Sequence, residues 1–300
     1  DLMKIFDCTN YFNEDVIYGL RLEILDKYVD KFIVAESLYS HSGQRKKLNF
    51  DINKYPKFKS KIHYIVVENE PQDLIRLDGL PFDQAQGMKR MNSLKRIRQQ
   101  YDVLREGIKD AQNDDLIILS DCDEIPNLEN LNKVNSKQII IFKQLLFYYK
   151  FDLHHNAMTW YGSKGCLKKD LLTFNWLRNI KNKTYNFWRI DTFFSKNKYM
   201  NVKIIENGGW HFTNIKSPED IHMKLSNYGE HNEFEMSDID LAKMSQLVKE
   251  KKVYFNHNVD KSNPNKYSYG HELVKINKNL LPKFLVDNYL KFKDWFEYKL

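Results

Sequence analysis

Apolar residues fall along this chain in two rhythms. Leu2 to Phe6 ("LMKIF"), Lys31 to Ser37 ("KFIVAES"), Ile62 to Val67 ("IHYIVV") and Leu116 to Ser120 ("LIILS") are short apolar runs of strand length. After the first run, Ile17, Leu20, Ile24 and Tyr28 recur at spacings of three and four, the period of one helix face. Asn13 stands where an N-cap would, with Glu14 and Asp15 in the first turn, where the helix dipole favours acids. Gln86 to Ile108 predicts a second, longer helix with Met91, Leu94, Ile97, Tyr101, Leu104 and Ile108 as its apolar stripe. The order strand, helix, strand, strand, helix, strand predicts an α/β fold with a mainly parallel central sheet flanked by helices.

The second half reads differently. Gln138 to Phe151 predicts one long strand or a strand pair, and Asn201 to Phe212 another. "SPED" (Ser217 to Asp220) opens a helix, Ser237 to Lys252 predicts a further one, and Leu281 to Leu300 an amphipathic C-terminal helix. No internal repeat or low-complexity linker divides the chain, so residues 1–300 read as one domain.

Composition narrows the function classes. No stretch approaches the run of about eighteen apolar residues that a membrane span needs, and no basic-then-apolar signal peptide is visible in the residues from Asp1 onward. Three cysteines, Cys8, Cys122 and Cys166, are an odd count with no CxxC pair, which speaks for a reducing compartment and against a disulfide framework. The net charge of +7 suits an anionic partner such as a nucleotide.

The sharpest chemistry is in "LIILSDCDEIP", Leu116 to Pro126. Asp121, Asp123 and Glu124 end an apolar strand, and their mutual repulsion calls for a positive partner. Alternation along a strand sends Asp121 and Asp123 to the same side. Hard cations such as manganese or magnesium commonly take one or two such carboxylates and complete their shell with substrate phosphates. In a parallel sheet the carboxyl end of a strand is also where ligands bind. A solvated acidic turn broken by Pro126 is the plainer alternative.

The stretch Phe12 to Phe50, "ILSDCDEIP" and "NGGWHF" together resemble glycosyltransferase family 17, the family of the bisecting N-acetylglucosaminyltransferase, and the likeness extends through "HNEF" to the Pro-led C-terminal segment. The resemblance implies a GT-A type fold, with a nucleotide-binding half at about 1–126 and an acceptor-binding half at about 127–300. It also implies a nucleotide-sugar donor (UDP-N-acetylglucosamine), a divalent Mn2+ or Mg2+, a glycan acceptor and inversion at the anomeric carbon. Asp123 then corresponds to the direct metal ligand, and Asp121 to a residue near the ribose and the metal, with Glu124 in support. Glu36 and Arg21 become sugar-donor contacts, or else a pair tying the first helix to the sheet. Lys46, beside Arg45 and Lys47, becomes a candidate diphosphate contact, and the alternative is a solvated basic face.

"GGWHF" offers Trp210 as a flat face for a sugar ring, beside two glycines that let backbone approach a ligand closely. His211 or His231 could complete a metal shell, with His154 and His155 less well placed. An inverting transferase needs a general base. "PED" supplies Glu219, the preferred residue, and Asp220, although Ser217, Pro218 and acids in a first turn also make an ordinary helix start. Glu206, Asp191 and Glu233 are rivals. Two other classes compete: a haloacid-dehalogenase-like phosphohydrolase using Asp121 and Asp123, and a non-enzymatic basic module binding nucleic acid through Lys89 to Arg98. No recognised nucleic-acid motif is present, so nucleic acid is not expected as a partner. A cytoplasmic location is expected, the Golgi lumen only for a chain trimmed of an anchor.

Overall fold

The apolar runs of the first half become β1 (Ile5–Asn10), β2 (Lys31–Ser37), β3 (Ile62–Val67) and β4 (Leu116–Asp121), joined through helices α1 (Asp15–Leu25) and α2 (Phe82–Asp102). A computed structural model of the chain describes residues 3–129, 131, 133–185, 189, 191–199, 201–227, 234, 237, 239–259, 264–267 and 270–300. The four strands are parallel in the order β3-β2-β1-β4. Helices cover both faces, so Ile33, Val34, Ile117 and Ile118 are each almost wholly buried. Each such side chain contributes roughly 1.5–3 kcal/mol, which is why these strands read as unbroken apolar runs rather than alternating ones.

Beyond β4 the sheet turns mixed, which corrects the expectation of a mainly parallel sheet. β5 (Glu124–Pro126), β6 (Ile139–Tyr148), β7 (Leu153–Leu167), β8 (Val202–Ile205) and β9 (Gly209–Thr213) extend it in the order β4-β7-β6-β9-β5, with β8 and the short strand Val274–Lys275 beside that path. β7 runs antiparallel to both β4 and β6, and β5 antiparallel to β9, whereas β6 is parallel to β8 and β9. In a flat sheet, four strand spacings from β4 to β5 would cover about 19 Å. The chain from Asp121 to Glu124 reaches only about 11 Å. The sheet therefore curls, and the acidic turn Asp121–Glu124 is the stitch that closes the curl.

Two glycines make the closure possible. Gly209 has φ +119°, and a Cβ there would stand 2.1 Å from the Ile125 carbonyl oxygen. A Cβ on Gly208 would meet the Lys143 backbone nitrogen at 2.5 Å. The "GG" expected to admit a ligand instead admits strands β5 and β6.

Other expectations shift as well. Met91 and Leu94, placed on the buried stripe of α2, are 46% and 49% exposed, and Asn92, Ser93 and Gln100 are buried in their stead. The reason is that α2 meets the loop around Ile75 with a polar face: Asn92 exchanges two hydrogen bonds of 2.8 Å with the Ile75 backbone. The C-terminal segment is not one helix but short helical turns, Lys283–Asp287 and Tyr289–Phe292, followed by a tight turn ending at Trp295. After β7 come α3 (Phe174–Asn179) and α4 (Asp191–Phe194), and after β9 comes α5 (Pro218–Asn227). No helix among the described residues is long and apolar enough to cross a membrane.

Candidate active site

The order 3-2-1-4 reverses between β1 and β4, and their register sets Asn10 beside Asp121. Such a switch point leaves a crevice beyond the strand ends. Here it holds a cavity of about 40 Å³ bordered by Asn10, Glu14, Lys46, Asp121, Asp123 and Lys224. That volume is water-sized, so a nucleotide sugar needs the surrounding side chains to give way.

Within the acidic turn each carboxylate has a distinct setting. Asp121 accepts a hydrogen bond from the Tyr101 hydroxyl. Glu124 lies under the turn, accepting from the Asp121 amide at 3.0 Å and from the Trp160 indole at 2.7 Å. Gly162 keeps this space open, since a Cβ there would meet the Glu124 carboxyl carbon at 2.8 Å. Burial, and then the Asp121 charge, push the Glu124 carboxyl up to about 7. Asp123 is 8% exposed, with His211 Nε2 at 3.3 Å from one oxygen and Lys224 Nζ at 3.5 Å from the other. Burial works against its charged form, but Lys224 and His211 outweigh it and hold the carboxyl below its ordinary range. Burial likewise disfavours charge on Lys224 and His211. Asp123 offsets this in both, with Glu14 adding to Lys224, and both groups end above their usual values.

Strand alternation delivers His211 here. On β9 it pairs with Glu124 across from β5, and its neighbour Trp210 points to the other face. Lys224 arrives from α5, where it occupies an apolar-face position three residues after buried Ile221. Lys224 Nζ also lies 3.8 Å from Glu14 Oε1, and Glu14 Oε2 accepts from the amides of Phe12 and Asn13 at 2.8 Å each.

Could these groups hold a hard divalent cation? Among the described residues no three His, Cys, Asp or Glu side chains converge as a protein cage. Asp123 Oδ1 and His211 Nε2 do face each other at 3.3 Å, and the His211 Nδ1 atom is buried without a partner. That is a two-ligand set. It fits a cation that takes the rest of its shell from water and phosphate oxygens.

Of the residues singled out in the sequence, Asp121, Asp123 and His211 come together, and Lys46 borders the same cavity while its ammonium pairs with Glu36. Arg45 and Lys47 are exposed. Arg21 does not reach the cavity. It is fully buried, bonded bidentately to Asp7 and through its remaining nitrogen to the Glu124 carbonyl, so it ties α1 to β1 and to the acidic turn. Glu36 is also saturated: it accepts from the Asn49 amide at 2.8 Å and from the Phe50 amide and Tyr64 hydroxyl at 3.0 Å each, shaping the loop that carries Lys46. Trp210 donates its indole N–H to the Leu280 carbonyl at 2.7 Å and packs on the core, so it is no platform at this cavity. Glu219 is exposed, and Asp220 takes a hydrogen bond from the Ser217 hydroxyl at 3.1 Å. Glu206 and Asp191 serve surface ion pairs. His155 stacks on His271 away from the cavity, and His154 lies against Phe147. His231 and Glu233 lie outside the described residues.

Glu14, Lys224, Trp160 and Tyr101 were not foreseen as site residues. Lys224 carried a legible signal, since a lysine on the apolar face of a helix needs a buried anion. Trp160 carried none, because nothing in its local sequence announces β7.

A second cavity, about 120 Å³, adjoins the first and shares Glu14, Asp123 and Lys224 with it. A larger groove of about 940 Å³ lies between the outer face of α2 and the α3–α4 region. Size alone favours that groove, but none of the buried charges described above borders it, so the chemistry belongs to the smaller pair.

These acids at the switch point, with a histidine and a lysine supplied from the second half, are a setting for an anionic leaving group. A family model described as glycosyltransferase family 17 matches residues 1–296. The chain belongs to glycosyltransferase family 17. A search of curated proteins finds no sequence match. This family 17 member is therefore a glycosyltransferase that takes a sugar donor and an acceptor, and the phosphohydrolase reading of Asp121 and Asp123 is set aside.

Proposed function

We propose that the transferase has a GT-A type fold and moves N-acetylglucosamine from UDP-N-acetylglucosamine to a glycan hydroxyl, with inversion and with a divalent metal. The observation that supports this most is Asp123, buried at the end of the switch strand with His211 at 3.3 Å and Lys224 at 3.5 Å. A manganese or magnesium ion between Asp123 and His211 would neutralise charge on the departing diphosphate. Asp121, held by Tyr101, faces the ribose, and Lys46 and Lys224 flank the phosphates.

In a single displacement the acceptor oxygen bonds to the anomeric carbon while the bond from that carbon to the diphosphate oxygen breaks. Its electron pair leaves with UDP. The acceptor proton passes to a carboxylate, which we assign to Glu14 rather than Glu219 or Asp220. Glu14 borders the cavity beside Asp123; Glu219 points to solvent and Asp220 is engaged with Ser217. Lys224 offers its positive charge to the charge that develops on the phosphate oxygen.

The test is a thermal-shift panel of UDP, GDP and dTDP with their sugars, with and without manganese, on the intact chain and on Asp123→Ala. Stabilisation by uridine nucleotides that needs manganese and disappears in Asp123→Ala supports the reading. No shift with any nucleotide overturns it.

A further inference from the structure

We infer that the second cavity is the acceptor subsite, and that it takes one neutral, hydroxyl-rich sugar ring whose reacting hydroxyl faces the Glu14–Asp123–Lys224 wall. The inference rests on the transferase reading above and adds where the acceptor lies and what its chemistry is.

Three observations carry it. The cavity is about 120 Å³, against about 40 Å³ for the first, and it is short of the roughly 150 Å³ that encloses benzene, so a sugar ring enters it by its reacting edge. Its lining is mixed: Val16, Ile17, Phe212, Ile215 and Trp295 are apolar, and the polar side chains include Asn13, Asn214 and Asp220. A pyranose ring is mixed in the same way, with an apolar face of C–H bonds and an edge of hydroxyls.

The second observation is an orphan. Asn214 is 4% exposed, its amide nitrogen donates to the Tyr254 hydroxyl at 2.7 Å, and its Oδ1 is buried without a partner. An unpaired buried carbonyl is costly and calls for a donor. Asn214 also sits at φ +55°, the left-handed region that asparagine tolerates better than most residues. Backbone held in such a region recurs at ligand sites. Asn214 borders the cavity, and a sugar hydroxyl bound there would supply the missing hydrogen once the amide turns toward it.

Third, the hydrogen-bonding groups of the second cavity suit a neutral ligand. Glu14, Asp123 and Asp220 border it against Lys216 and Lys224, while Asp15, also on its rim, is paired with Lys54. Carboxylates accept hydrogen bonds from neutral hydroxyls, and ammonium groups donate to them. Of the two cavities Lys46 borders the first, so the anion goes to that side and the acceptor comes from the side of Trp295.

Saturation-transfer NMR tests this with the methyl glycosides of glucose, galactose, mannose and N-acetylglucosamine, on protein holding saturating UDP and manganese. At least one glycoside is expected to bind with UDP present. Asn214→Gly, which suits the positive φ, and Val16→Trp, which fills the cavity, are each expected to weaken it about tenfold or more. Both variants should keep the UDP thermal shift. The inference is overturned if no glycoside binds while UDP does, if UDP displaces the glycoside, or if both variants bind it as the parent chain does. Absence of a UDP shift counts against the donor assignment instead. Glycoside binding without nucleotide, lost in both variants, still upholds the subsite in that case, and its absence overturns it.

Discussion

Two buried clusters of charge lie along α1, about two turns apart between Glu14 and Arg21, and behave oppositely. Arg21 and Asp7 are bonded bidentately, the third guanidinium nitrogen has the Glu124 carbonyl, and both side chains are 1% exposed or less. Around Asp123 the contacts are looser: 3.3 Å to His211, 3.5 Å to Lys224, and 3.8 Å from Lys224 on to Glu14. That cluster also opens onto two cavities and contains the orphaned Nδ1 of His211. Saturated charges hold a fold; loosely met ones retain capacity for a ligand. A buried ion pair by itself says little about function, and the difference lies in how completely each partner is used.

The largest effect should come from breaking the saturated cluster. Arg21→Met leaves Asp7 buried and unpaired, and should lower unfolding free energy by about 3–5 kcal/mol in a denaturant titration. Arg21→Lys should recover little, because one ammonium cannot replace a bidentate fork. An unchanged unfolding midpoint in Arg21→Met would remove the structural side of the contrast.

The looser cluster should give the reverse pattern. Asp123→Asn is expected to lower the transfer rate by about a hundredfold or more, with a stability loss well below that of Arg21→Met. Comparing rate and unfolding midpoint on the same preparation checks this. A variant that loses as much stability as Arg21→Met while its folded form keeps the parent transfer rate would make Asp123 structural.

Lys164 sharpens the comparison with a charge of the first kind. It is 6% exposed and donates to the carbonyls of Arg178 and Ile180, and burial lowers its ammonium to about 8. Its folded value lies below the unfolded one of about 10.4, so it favours folding above pH 10.4, and that contribution is lost as pH falls toward 8. The intact chain should therefore gain up to about 3 kcal/mol relative to Lys164→Met as pH rises from 8 to 10.4. Parallel pH–stability curves for the two proteins would show that Lys164 does not titrate differently on folding.

Two tryptophans provide the smallest and most discriminating pair. Trp160 donates to Glu124 inside the acidic turn, while Trp210 donates to Leu280 on the far face of β9. Each Phe substitution should cost about 1 kcal/mol of stability. Only Trp160→Phe should also slow transfer. Equal kinetics in the two variants would dissolve the distinction between a tryptophan bonded to the acidic turn and one bonded away from it.

How legible was this in the sequence? β1 to β4, α1 and the placing of the acidic turn were readable, because strands buried on both faces leave apolar runs and helices leave a repeating stripe. Asp121 and Asp123 were readable as a pair because strand alternation is local. β7 was not, although at Leu153–Leu167 it is the longest strand in the sheet among the described residues. Its middle is partly exposed, and two histidines, an asparagine and two glycines are spread along it, so no run or alternation marks it.

The sequence alone determined the parallel half, the acidic turn at a strand's carboxyl end and the family, all properties of short-range pattern and ordered motif. Tertiary structure decided which charges are spent and which are available. Arg21 and Glu36 look like ligand contacts until their partners are counted, and Glu14 and Lys224 look like ordinary helix residues until the curl of the sheet brings them to Asp123. The physical reason is distance along the chain. Asp123 meets His211 and Lys224 across some ninety to a hundred residues, and no local pattern encodes whether a buried charge will find its partner complete or leave a hydrogen bond open.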